Sequence, residues 1–144
     1  MHGHVRVALA DDDARIRSAL VDMLEDDGRF DVVGEVTSGD EIVRLAEAEV
    51  PDIVLVDVGM PGGGVEAVTR LRALERPPVV VVVSAEVGRD TVVAHLRAGA
   101  QGYIAKNGTG GCLAEMVHRA AAGEVHVAVP HAAHVLVALQ SPAT

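Results

Sequence analysis

Five consecutive valines, Val79 to Val83, constrain this chain more than any other feature. β-Branched side chains are stiff at χ1 and favour extended backbone. A strand that is apolar at every position has no solvent side, so both of its faces must be covered. Strands of that kind lie inside parallel sheets, with helices packed above and below. Parallel neighbours need a crossover, which is most often a helix. The valine run therefore asks for strands and helices in alternation.

The rest of the sequence supplies them. Val5 to Ala10 reads as a strand, and Ala14 to Asp26 as a helix with Ile16, Leu20, Met23 and Leu24 on one face. Asp31 to Val36 is a second strand. Ser38 then caps a helix, with Glu41 completing a capping box, and Pro51 follows its end near Glu49. Ile53 to Val56 is a wholly apolar third strand, followed by a Gly-rich loop and a helix from Val65 to about Glu75. After the valines come a short helix from Thr91 to Ala98, a fifth strand from Gly102 to Ala105 and a fifth helix from Cys112 to Ala122. The expectation is a doubly wound, flavodoxin-like α/β domain with five parallel strands in the order 2-1-3-4-5 and five helices. Residues 1–123 form this domain. Residues 124–144 are an extension, either a linker or one further helix near Ala132 to Leu139.

Composition limits the partners. Twelve basic against 21 acidic residues give a net charge of −9, which disfavours direct binding of duplex nucleic acid and suits a cation. Phe30 and Tyr103 are the aromatic residues, so the core rests on Val, Leu, Ile and Ala. The one cysteine, Cys112, excludes an internal disulfide and reads as a small buried residue near a helix start. No run of about 18 apolar residues would span a membrane, and the first residues lack a signal peptide's pattern, so a cytoplasmic location is expected. His131 and His134 have helical spacing but no carboxylate or thiol cluster beside them, which argues against a transition-metal site. Arg70 and Arg72 are read as lying on a solvated helix face.

In doubly wound sheets the working groups gather at the strands' C-terminal ends. The first strand here ends in Asp11-Asp12-Asp13, the third in Asp57, the fourth in Ser84 and the fifth in Lys106, the only lysine of the chain. Two carboxylates about 5 Å apart repel by roughly 3 kcal/mol at an effective dielectric near 20. A cluster of them asks for a cation, and oxygen ligands suit Mg2+. Asp13 is free to cap the first helix while Asp11 and Asp12 turn to the metal. Ala85 after Ser84 leaves room for an incoming group. The Gly59-to-Gly64 loop matches neither a P-loop nor a dinucleotide fingerprint. It reads as a turn bringing backbone to the site, with the Gly59 carbonyl as a metal ligand.

Taken in order, Asp11-Asp12, Asp57-Val58-Gly59-Met60-Pro61, Ser84-Ala85 and Gly102-Tyr103-Ile104-Ala105-Lys106 resemble the response-regulator receiver family of two-component systems. Arg17 fits as well. Val32 to Glu35 and Ala98 to Tyr103 resemble its NarL/LuxR-type branch. The likeness covers about Val5 to Gly123. Departures are a shorter loop after Pro61, Asp13 where His is frequent, and Asn107 where Asp is common.

The resemblance implies a phosphoacceptor switch and not an enzyme acting on other molecules. Asp57 would take a phosphoryl group from a sensor histidine kinase. Asp11, Asp12, Asp57 and the Gly59 carbonyl would hold Mg2+. Ser84 and Lys106 would contact phosphoryl oxygens, and Tyr103 would turn into space that Ser84 vacates. Dimerisation on activation is an expected readout. Members of the branch carry a C-terminal helix-turn-helix domain, so transcription control and DNA contact would run through a domain outside these residues. The alternative is a phosphorylation-independent receiver that serves as a protein-binding module. A dehalogenase-type phosphatase would want a second acid at Gly59. A flavodoxin would want a hydroxyl-rich first loop and stacking aromatics.

Overall fold

The structure, a computed structural model, describes residues 4–106 and 112–140. Asn107 lies outside them. Along the chain run β1 (Val5–Ala10), α1 (Ala14–Asp27), β2 (Phe30–Val36), α2 (Gly39–Glu49), β3 (Ile53–Val56), α3 (Val65–Arg72), β4 (Val79–Ser84), α4 (Arg89–Arg97), β5 (Gly102–Ala105), α5 (Leu113–Ala121), β6 (His126–Ala128) and α6 (Ala132–Gln140). The strands form one parallel sheet in the order β2-β1-β3-β4-β5-β6.

The valine run behaves as its composition demands. Val80 and Val82 enter one apolar layer with Ala8, Val54, Val56 and Tyr103, beneath residues of α2, α3 and α4. Val81 and Val83 enter the opposite layer with Val7, Leu9, Leu55 and Ile104, beneath α1 and α5. Each of the last four valines is at most 3% exposed. The period of two along each strand thus divides the core into two layers.

The expected five strands and five helices are corrected to six of each among the described residues. His126–Ala128 pairs in parallel with Gly102–Ile104, and α6 packs against α4 through Val135, which is 1% exposed. A strand of three residues that opens on histidine has too little period to be read. Smaller corrections concern helix ends. The α3 helix stops before Glu75 because Leu74 N–H reaches back only to the Leu71 carbonyl, tightening the last turn. The α4 helix starts earlier than Thr91, since the Gly88 carbonyl already accepts the Val92 N–H.

Two local devices place the functional loops. At α2, Ser38 Oγ accepts the Glu41 N–H, and Glu41 Oε1 takes hydrogen bonds from the Ser38 and Thr37 hydroxyls. The next residue, Gly39, donates its N–H to the Pro61 carbonyl at 2.8 Å. A Cβ at Gly39 would stand 1.8 Å from the Gly62 carbonyl oxygen, so the loop after β3 docks on α2 only because this residue has no side chain.

Candidate functional site

The site grows from the ends of three strands that the sheet order makes neighbours or near neighbours. Asp57 follows β3, donates its N–H to the Ala10 carbonyl of β1, and is 7% exposed. Asp11 follows β1 and is 2% exposed. One of its carboxylate oxygens accepts the Asp13 N–H at 2.9 Å, and the other lies 2.7 Å from Lys106 Nζ. Arg17 donates to the Asp11 carbonyl at 2.9 Å and pairs with Glu35 at 3.0 Å, fixing the turn that follows β1. Asp13 caps α1, accepting the Arg15 and Ile16 N–H groups. Those two hydrogen bonds hold its carboxyl below the usual range.

Asp11, Asp12 and Asp57 each present an oxygen within 4.8 Å of the others, with Asp12 facing solvent. Lys106 Nζ also lies 3.3 Å from Asp57 Oδ1. Burial pulls this ammonium down, but Asp11 and Asp57 together more than offset it and hold it above the ordinary lysine value. Three carboxylates against one ammonium leave a surplus of negative charge in a part-buried place. The donor set is all oxygen, and the exposed Asp12 leaves a way in for water. These are the features a hard divalent cation that keeps some of its waters would use, so the residues present fit Mg2+. Gly59 lies close by: a Cβ there would sit 3.5 Å from Asp57 Oδ2.

Ser84 closes β4 at 1% exposure, and its Oγ accepts the Glu86 N–H at 3.1 Å. Ala85, Val87, Ala105, Lys106 and Pro130 line a cavity of about 110 Å3 beside it, one wall coming from the turn between β6 and α6. Tyr103 is fully buried, and its hydroxyl donates to the Glu86 carbonyl at 2.5 Å. Burial pushes this phenol up to about 12, with the Ser84 hydroxyl opposing and the charges of Glu86 and Asp57 adding. The ring was expected to enter only after Ser84 moved; it is inside already.

Other sequence readings fare unevenly. Cys112 is exposed, not buried: it stands at the cap of α5, and Leu113, Ala114, Val117 and Ala120 carry the inward face. Arg70 pairs with Asp40, while Arg72 is only half exposed and donates to the Pro78 carbonyl. His131 and His134 stack at 5.8 Å between ring centroids. Among the described residues, no group of three His, Cys, Asp or Glu other than the aspartates converges. No described helix is long and apolar enough to cross a membrane. The sequence reading passed over His95, which is buried in α4 three residues after buried Val92. Its place on that inward stripe was the signal.

Comparison with known proteins agrees with this geometry. Residues 7–118 match the profile of the response regulator receiver domain. The chain is 34% identical over 120 residues to the nitrate/nitrite response regulator protein NarL of Escherichia coli K12, covering 83% of this chain and 56% of that protein. It is 41% identical over 102 residues to the transcriptional regulatory protein PdtaR of Mycobacterium tuberculosis, covering 70% of this chain and 49% of that one. The chain thus spans about half the length of these curated relatives. Among solved structures, the signal receiver domain of a response regulator NarL from Mycobacterium tuberculosis superposes with a TM-score of 0.81 at 32% identity, covering 85% of this chain and all of that one. A LuxR-family two-component response regulator from Aurantimonas gives 0.85 at 26% identity, covering 94% and 97%.

Proposed function

The chain belongs to the response-regulator receiver family, in its NarL/LuxR branch, and from that premise we propose that Asp57 accepts a phosphoryl group from a phosphohistidine of a sensor kinase. An Asp57 oxygen forms the new P–O bond as the P–N bond breaks, and the imidazole leaves, taking up a proton. Phosphoryl transfer needs positioning and charge neutralisation more than covalent chemistry from the protein. The observation that carries the reading is the convergence of Lys106 on Asp57 and Asp11, at 3.3 and 2.7 Å, from a strand end remote in sequence.

The residues divide the work. Asp11, Asp12, Asp57 and the Gly59 carbonyl would hold Mg2+, which when bound would neutralise charge on the phosphoryl oxygens. Lys106 faces one phosphoryl oxygen, leaving Asp11 as it does so. Ser84 turns its hydroxyl proton toward another. Because Tyr103 is already inside, phosphate biases an existing arrangement toward permanence and does not create one. Residues 1–123 act as the receiver and 124–144 as its extension. Transcriptional output, dimerisation on activation and a cytoplasmic setting are part of the same proposal, with DNA contact left to a domain outside these residues. The inward Tyr103 also favours a second reading, a receiver that binds its partner without phosphate.

Asp57→Asn separates the two. Incubated with acetyl phosphate and Mg2+, the natural chain should gain one phosphate by intact-mass spectrometry and the variant none. Equal incorporation in the variant would remove Asp57 from the reaction. No incorporation in either chain would favour the phosphate-independent receiver.

A further inference from the structure

The switch region contains a buried base that the phosphoryl chemistry does not use. His95 is 3% exposed within α4. Its Nδ1 lies 2.7 Å from the Thr91 carbonyl oxygen, one turn earlier. A carbonyl can only accept, so Nδ1 carries the proton, and Nε2 of the neutral ring presents a bare lone pair. That Nε2 is buried and has no hydrogen-bond partner among the described residues. It points toward Gly64 at the start of α3, where a Cβ would stand 3.7 Å away. The ring meets Tyr103 edge to face, with centroids 5.7 Å apart and planes at 78°.

We propose that His95 is a proton-operated wedge that holds Tyr103 in its inward position. Neutral, the imidazole fills the space between α3 and β5 and supports one edge of the phenol ring. Protonated on Nε2, it becomes a buried cation whose new N–H has no acceptor, which a protein interior tolerates poorly. The ring must then leave, and α4 and Tyr103 must move with it.

The neighbours do not offer an escape. On the elements packed against α4, the titratable or charged groups are Tyr103 on β5, Glu66, Arg70 and Arg72 on α3, and His134 on α6. Tyr103 is a neutral donor committed to the Glu86 carbonyl. Arg70 is engaged by Asp40, and Arg72 by the Pro78 carbonyl. Among the described residues no carboxylate forms an ion pair with His95. The charges of Glu86 and Asp57 act on the Tyr103 hydroxyl. That the movement of Tyr103 changes output rests on the receiver reading; the proton step itself does not, so its test uses no phosphodonor.

The chain contains one tyrosine and no tryptophan, so tyrosine fluorescence and the near-UV dichroism of the tyrosine band, which lies to the red of the Phe30 bands, report on this ring. The 144-residue chain would be taken from neutral pH down to the onset of global acid unfolding, because burial disfavours the charged ring, while far-UV dichroism follows the helices. The expected result is a one-proton loss of the near-UV signal with far-UV signal retained. His95→Gln and His95→Leu, which cannot take the proton, should show no such step. The His95 ring carbon–proton resonance should titrate with the same midpoint in wild type. The same near-UV step in both variants, or no step in wild type before global unfolding, would overturn the proposal. If neither variant folds, the resonance decides: a midpoint separate from the Tyr103 step overturns it equally. Asp57→Asn should keep the step even though it takes no phosphate, so a failed receiver assay and a failed wedge are told apart.

Discussion

Lys106 holds two buried carboxylates at once, and its removal leaves both without a counter-charge. Breaking a buried pair from one side costs more than the pair ever contributed, because the remaining charge stays desolvated. Lys106→Ala should therefore lose on the order of 3 kcal/mol in urea unfolding at low salt with a chelator present. Millimolar Mg2+ should restore part of the loss, since a cation at Asp11, Asp12 and Asp57 replaces the missing ammonium. Unchanged stability in both conditions would show that the lysine is idle. The variant should still accept phosphate from a small donor while failing to shift its output surface. The importance of this residue was legible because it is the only lysine and ends a strand. His95 could be read only as a position on the inward stripe of α4, and nothing in the sequence showed its unpartnered Nε2 or its contact with Tyr103.

At the scale of elements, the uniformly apolar strands and the capped helices were legible. Ser38 with Glu41, and Asp13 before α1, are polar groups whose spacing has one local meaning, and both cap as read. The extension was only half legible: a helix near Ala132 to Leu139 was read as an alternative to a linker, because α6 has no Asp, Glu, Lys or Arg to mark which side is inward, and the three-residue β6 was missed. Its two adjacent faces now make a clean experiment. Val135 is 1% exposed against α4, and Val137 is 63% exposed. Val135→Ala should cost about 1–2 kcal/mol through the cavity it leaves, and Val137→Ala less than about 0.5 kcal/mol. Equal effects in chemical denaturation would mean that α6 is not held in its described register.

For the whole molecule, the titrating groups define a window of stability. Asp13, Asp27, Asp40, Glu41 and Glu115 are all held below their ordinary values by hydrogen bonds, from backbone N–H groups at Asp13 and from side chains at the others. A depressed acid stabilises above its unfolded value and loses that effect as pH falls through the folded one, so the acid limb begins near pH 4. The Tyr103 hydroxyl is pushed up to about 12, and the Lys106 ammonium is raised too. Their contributions are whole below about pH 10 and vanish as pH climbs through the folded values, a loss on the order of 2 kcal/mol for the tyrosine. Urea midpoints across pH should fall on both sides, on the acid side with the charging of His95 added to the carboxylates, and Tyr103→Phe should flatten the alkaline limb. The order in which the pocket is written along the chain matters as well. A ribosome adding about 5–20 residues per second makes the two acidic strand ends seconds before it reaches the single lysine that pairs with them. Through that interval the nascent half-sheet carries a bare anionic notch, and an ion from the surrounding fluid is the partner it can meet first.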